Sequence, residues 1–325
     1  MKRQASPAPP AAAPPAEPQS SPPPPQRSLR GWAYGALAAA IWGGMYVVSD
    51  VILITIPPFS LLTLRLLLGL AVLLPLLLRQ NQASDGRNSL WPNRHSFRAN
   101  LAVGALGFGF SLGAQLIGTE LSTAINGTTI TSASPAFILL FAWPLLGERW
   151  NLRSVLALVL ASVGVLIILD LRQLRFGAAT ALGDLALAIA ALSWGLYSVL
   201  VRRLTTRDQL RTVPLTVGVF LGGLLVSTPL TIWELLNRSY GAWDLPFFAG
   251  LLYLGIVSTA WAQWLWNRAF ALLPAARASL CFFAQPFAGA LLAMILLQQA
   301  LTPALALGGG MIAVGVLLAV GEPAE

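Results

Sequence analysis

Polar and aromatic side chains recur inside the long apolar runs of this 325-residue chain, and they recur in matching places. Gln115 and Gln263 each follow an alanine in the middle of such a run. Ser132 and Ser134 stand just before Pro135, and Gln285 stands just before Pro286. Trp42 and Trp194 are each followed by glycine and then, within a turn, by a tyrosine, Tyr46 or Tyr197. A proline within a helix leaves the carbonyl one turn earlier without its amide partner. At membrane depth a polar group faces protein or a cavity and is a functional candidate by default. Freed carbonyls, amides, hydroxyls and ring faces can bind a small solute; interhelical hydrogen bonding and plain packing are the competing explanations. Trp261, Trp264 and Trp266 cannot all face one way; Trp261 and Trp264, three apart, share a face, and Trp264 joins the expected binding set.

Reactive constellations are missing from the sequence. It has one cysteine, Cys281, inside an apolar run, and one histidine, His95, between two runs. No disulfide within the chain, metal site, cofactor site or catalytic Ser/His/Asp set is therefore expected, and an enzyme is disfavoured. Arg65 lies a few residues inside an apolar run. It either snorkels to the interface or forms a charge pair with Asp50, with anion recognition as the less favoured reading.

The elements that must position these groups follow from composition. Hydrophobic residues make up 56% of the chain and charged residues only 10%, against a soluble norm near 25%. Mean hydropathy is +0.72. Continuous apolar runs of about 20 residues, each able to cross a hydrocarbon core, argue for α-helices and against a barrel. Ten spans are expected, at 31–53, 59–78, 97–118, 124–146, 152–170, 181–201, 212–234, 246–269, 276–297 and 303–320. Residues 1–29 are rich in Pro, Ala and Ser and read as a disordered cytoplasmic tail.

Residues 134–169 lie without a gap on residues 285–320, with ten of 36 positions identical, including Pro135 on Pro286 and Val163-Gly164-Val165-Leu166 on Val314-Gly315-Val316-Leu317. The chain thus reads as a duplication, 30–170 and 181–320. An odd number of crossings per copy makes the second copy inverted. Nineteen of the 20 basic residues are Arg, scattered over short loops, which marks topology and not a nucleic-acid face. With the N-terminus inside, 16 basic residues are cytoplasmic and three (Arg172, Arg175, Arg238) are outside, so both termini are expected in the cytoplasm.

These pieces resemble the drug/metabolite transporter superfamily, specifically its EamA-type members. The resemblance is carried by Trp-Gly at 42–43 and 194–195, Arg65 in LLTLRLLLGL, the stretch Ser134 to Trp150 ending in PLLGERW, and the 272–297 stretch around Pro286. It covers about residues 31–320. It implies a ten-helix secondary transporter in the plasma (inner) membrane, probing small organic solutes in a cavity between spans 1, 3, 4, 6, 8 and 9. The second copy lacks the Gly-Glu-Arg turn, and Gln285 stands where relatives commonly carry Glu, which weakens proton coupling at that site. The expected function is export of metabolites such as amino acids by alternating access. A nucleotide-sugar or sugar-phosphate antiporter and a non-transporting scaffold are the alternatives. A small-molecule substrate, the lipid bilayer and a second copy in a homodimer are the expected partners.

Overall fold

In a computed structural model the described residues are 25–82, 94–148, 152–168, 177, 180–207, 210–286, 288 and 303–320. All regular structure among them is helical. The helices are α1 (Pro25–Trp42), α2 (Met45–Leu53), α3 (Pro58–Gln82), α4 (Arg94–Gly104), α5 (Leu112–Leu121), α6 (Ala124–Thr131) and α7 (Ser134–Leu146). There follow α8 (Leu152–Ile168), α9 (Ala181–Thr206), α10 (Thr212–Asn237), α11 (Leu245–Leu252), α12 (Ala262–Leu272), α13 (Ala275–Leu280) and α14 (Pro303–Val320). Among the described residues, seven stretches are long and apolar enough to cross a membrane: Leu29–Leu53, Pro58–Gln80, Arg94–Leu121, Asn126–Leu146, Ala181–Thr206, Thr212–Asn237 and Leu245–Leu272. Leu152–Ile167 and Ala306–Gly315 are shorter apolar helices at the fifth and tenth expected spans. The ninth span begins as expected at α13, and most of its second half lies outside the described residues. The protein is a polytopic α-helical membrane protein.

Helix α1 starts at Pro25, inside the stretch 1–29 expected as a tail; residues 1–24 lie outside the described residues. Proline is well placed in a first turn, where its missing N–H costs nothing.

The spans are less regular than continuous apolar runs suggest. The first breaks at Gly43–Gly44, between α1 and α2, and the fourth at Ser132–Ala133, between α6 and α7. The third and eighth each pass through a π-helical segment, Ala105–Ser111 and Tyr253–Trp261. Aligning Gln115 on Gln263 places residue 105 on residue 253, so both π segments begin at the same position of the two copies. After α13 the chain tightens into a 3-10 turn, Cys281–Phe283.

The duplicated Val-Gly-Val-Leu run finds its physical reason in the packing of α8 along α14. A Cβ on Gly164 would lie 2.6 Å from the Gly308 carbonyl oxygen, and one on Gly315 would lie 2.9 Å from the Ala157 carbonyl oxygen. Each copy supplies the glycine that lets the other's backbone approach, as small residues do between membrane helices. Elsewhere α1 packs on α12, α3 on α10, and α9 on both α5 and α7. Elements of the two copies thus alternate around one common interior.

Candidate functional site

That interior holds a cavity. Its walls come from both copies, and seven wall residues lie at the irregular points of the helices. Trp42 and Met45 flank the break between α1 and α2; Thr131 and Ser134 flank that between α6 and α7. Phe108 and Ser258 belong to the two π segments, and Phe282 to the 3-10 turn. Inside a bilayer, non-helical backbone is tolerated where it lines a cavity or is buried in protein, and π segments cluster at functional sites.

Seven of the ten expected binding residues line the cavity: Trp42, Tyr46, Gln115, Ser134, Trp194, Gln263 and Gln285. Three do not. Ser132 turns its hydroxyl back onto the Thr128 carbonyl at 2.6 Å. Trp264 points away, against Tyr34 and Trp261, with ring centroids 6.2 Å apart in each case. Tyr197 sits one layer behind: fully buried, it packs on Trp194 and Phe108 and accepts a hydrogen bond from Gln263 Nε2 at 2.7 Å.

Buried polar contacts set the wall. Trp42 Nε1 donates to the Ser258 carbonyl at 2.9 Å, tying α1 to the π segment of the other copy. The Tyr46 and Thr131 hydroxyls meet at 2.6 Å. Gln285 Nε2 donates to the Trp42 carbonyl, at the break after α1, at 3.4 Å. Gln263 Nε2 donates both to Tyr197 and to Asn267 Oδ1 (2.8 Å), and Asn267 Nδ2 donates to Thr216 at 2.9 Å. Holding the amide nitrogen in this way leaves Gln263 Oε1 without a partner.

Two expectations need correction. The carbonyl that Pro135 deprives of an amide, that of Thr131, is not free for a solute, because Ser134 Oγ donates to it at 2.7 Å. At Pro286 the corresponding Phe282 carbonyl accepts from the Ala284 N–H within the 3-10 turn. The prolines therefore shape the helices without offering their freed carbonyls. Arg65 and Asp50 do not pair either. Arg65 is 1% exposed and faces inward, whereas Asp50 is exposed on the outer face of α2.

Arg65 instead lines the cavity. Its Nε donates to Thr259 Oγ1 at 3.1 Å, its Nη2 contacts Met45 Sδ at 3.3 Å, and its Nη1 is buried without a partner. It is the one charged side chain among the described residues of the wall. Three further wall atoms are buried and unpartnered: Trp194 Nε1, Ser258 Oγ and Gln263 Oε1. Hydropathy gives no hint of Met45, Phe108, Leu112, Thr131, Ser258 or Phe282, since it does not report which way a residue faces around its helix.

Three other described carboxylates serve the ends of the bundle. Glu234 accepts from the Phe59 and Ser60 amides at 3.0 and 2.7 Å, capping α3 from α10. Asp184 accepts from Ser122 (2.6 Å) and Asn126 (2.9 Å), joining α9 to the turn before α6. Glu120 pairs with Arg238 at 2.5 Å, and this hydrogen bond raises the Arg238 guanidinium above its usual range.

The described residues thus form an all-helical membrane protein with a central, sparsely polar cavity between two copies, an arrangement suited to binding a small solute. The EamA-like transporter family matches residues 29–170 and again 181–321, and the chain belongs to that family. It is 24% identical over 285 residues to an uncharacterized transporter of Archaeoglobus fulgidus, covering 87% of this chain and 94% of that one. It is 22% identical over 283 residues to the uncharacterized transporter YoaV of Bacillus subtilis, covering 86% and 92%. A solved crystal structure, 21% identical, superposes with a TM-score of 0.72 over 89% of this chain and 96% of the other, which shows a shared fold.

Proposed function

We propose that this protein is a secondary transporter that exports small organic metabolites, such as amino acids or related solutes, by alternating access. One observation carries the reading: a cavity draws its wall from both family repeats and collects four unpartnered polar atoms. The two repeats, taken as 30–170 and 181–320 after a tail at 1–29, are read as two inverted five-helix units whose relative rocking exposes the cavity to either side. The 16-to-3 distribution of basic residues supports cytoplasmic termini in a plasma (inner) membrane. No carboxylate lies among the described wall residues, so coupling to a proton through the wall has no carrier there.

The runner-up, a nucleotide-sugar or sugar-phosphate antiporter, calls for several cations at depth, and the described wall supplies Arg65 alone. Flux in proteoliposomes over a panel of radiolabelled metabolites, with and without a proton gradient, tests the proposal. Trp42→Ala combined with Gln263→Ala should abolish the flux; unchanged flux places the route elsewhere. Deleting residues 1–24 should leave flux intact, whereas a scaffold would lose its partner.

A further inference from the structure

We infer that Arg65 is a carboxylate-binding subsite, and that the solute is a small organic monocarboxylate with a largely apolar body. The inference rests on the transport reading above and narrows it to a chemical class.

A guanidinium does not shed its charge, and leaving one buried and unpaired is costly. Arg65 is 1% exposed, and among the described residues no acid pairs with it. Asp50 faces outward, and Glu234 caps α3. Two of its three nitrogens are held, Nε by Thr259 Oγ1 and Nη2 by Met45 Sδ, a weak acceptor. Thr259 is itself fixed, donating to the Leu254 carbonyl across the π segment at 2.7 Å. The fork is therefore oriented, with Nη1 unpartnered in the cavity wall. A planar fork in a poorly hydrated wall matches a carboxylate edge. One cation balances one negative charge, so a phosphate dianion or a dicarboxylate would enter undercompensated. The rings of Trp42, Phe108, Trp194 and Phe282 supply the apolar remainder of the wall.

The test uses the full-length protein in proteoliposomes with matched radiolabelled pairs, phenylacetate against phenylacetamide and phenylalanine against phenylalaninamide, plus phenyl phosphate. In the wild type the acids should move with an apparent affinity about 10- to 100-fold better than the amides, the span expected for one hydrogen-bonded charge, and phenyl phosphate should compete poorly. Arg65→Gln should erase the acid preference and Arg65→Lys should restore part of it. If Arg65→Gln does not fold, Thr259→Val, which keeps the charge and frees the fork, should weaken the acids and leave the amides unchanged. Amides handled as well as acids by the wild type, or an acid preference that survives Arg65→Gln, overturns this inference alone. A wild type that moves no member of the set overturns it together with the transport reading for solutes of this size.

Discussion

Glu148 and Arg202 meet at 2.9 Å where α7 and α9 end, and neither side chain is more than a fifth exposed. The contact is one of four at a single junction. Glu148 also accepts from the Ala275 and Ala276 amides at 2.9 and 3.2 Å, and Arg202 Nη1 donates to the Phe270 carbonyl at 2.8 Å. Gly147 makes this reach feasible. Its φ of 75° ends α7 in the left-handed conformation that glycine adopts without penalty, turning the chain toward α13. The Leu-Gly-Glu turn of the first copy therefore closes on α9 and α13 of the second.

Glu148→Gln should lower stability by about 1–2 kcal/mol, since a hydrogen-bonded charge is replaced by a neutral amide at a partly exposed site. Arg202→Met should cost a similar amount. Because the two share a contact, the double variant should fall short of the sum by about 1 kcal/mol, read from thermal unfolding in detergent. Strict additivity would remove the junction as a coupling between the copies.

Ser134→Ala should separate shape from chemistry at the fourth span. It leaves Pro135 and the break in place but strips the Thr131 carbonyl of its 2.7 Å partner. A loss of about 1 kcal/mol in stability is expected for a neutral hydrogen bond, together with a change in solute affinity, because the bared carbonyl now faces the cavity. Unaltered affinity would mean that solute does not reach this break.

How much of this could be read in the chain itself depends on the kind of signal. The spans were legible because a membrane helix must be continuously apolar, and the duplication because Pro135/Pro286 and Gly164/Gly315 sit in register. The π segments were not, since neither contains a proline to mark them and backbone hydrogen-bond slippage has no compositional signature. Arg65 was found as an anomaly but assigned the wrong neighbour. Asp50 lies near it along the chain, yet an acid and a base on adjacent helices pair only if both face the same gap, and hydropathy is blind to that angle. Gln263 and Trp264 show the same limit: of two neighbours singled out together, Gln263 lines the cavity and Trp264 does not.

Glycines 164 and 310 should respond oppositely to alanine. A Cβ at Gly164 falls 2.6 Å from the Gly308 carbonyl oxygen, so α8 and α14 must separate, at a cost of about 1–3 kcal/mol. Gly310 has nothing within 4 Å of the same position, and there alanine should add roughly 0.5–1 kcal/mol through helix propensity. Thermal unfolding of the two variants side by side checks this. Destabilisation by both, to the same degree, would argue against close packing of these two helices.

Trp42→Phe and Trp194→Phe should split stability from recognition. The two indoles stand edge to face, ring centroids 5.7 Å apart, at matching positions of the two copies. Trp42 Nε1 is committed to the Ser258 carbonyl, so its loss should cost about 1 kcal/mol by leaving that carbonyl without this donor. Trp194 Nε1 is buried in the cavity wall with no partner, so Trp194→Phe should leave stability unchanged or slightly improved, because an unsatisfied donor is removed. If that donor instead waits for solute, the same substitution should raise the apparent KM several-fold with little change in the unfolding temperature. Trp42→Phe should show the reverse order of effects, lowering the unfolding temperature more than it raises KM. Two variants with indistinguishable profiles would mean that the matching tryptophans serve packing alone.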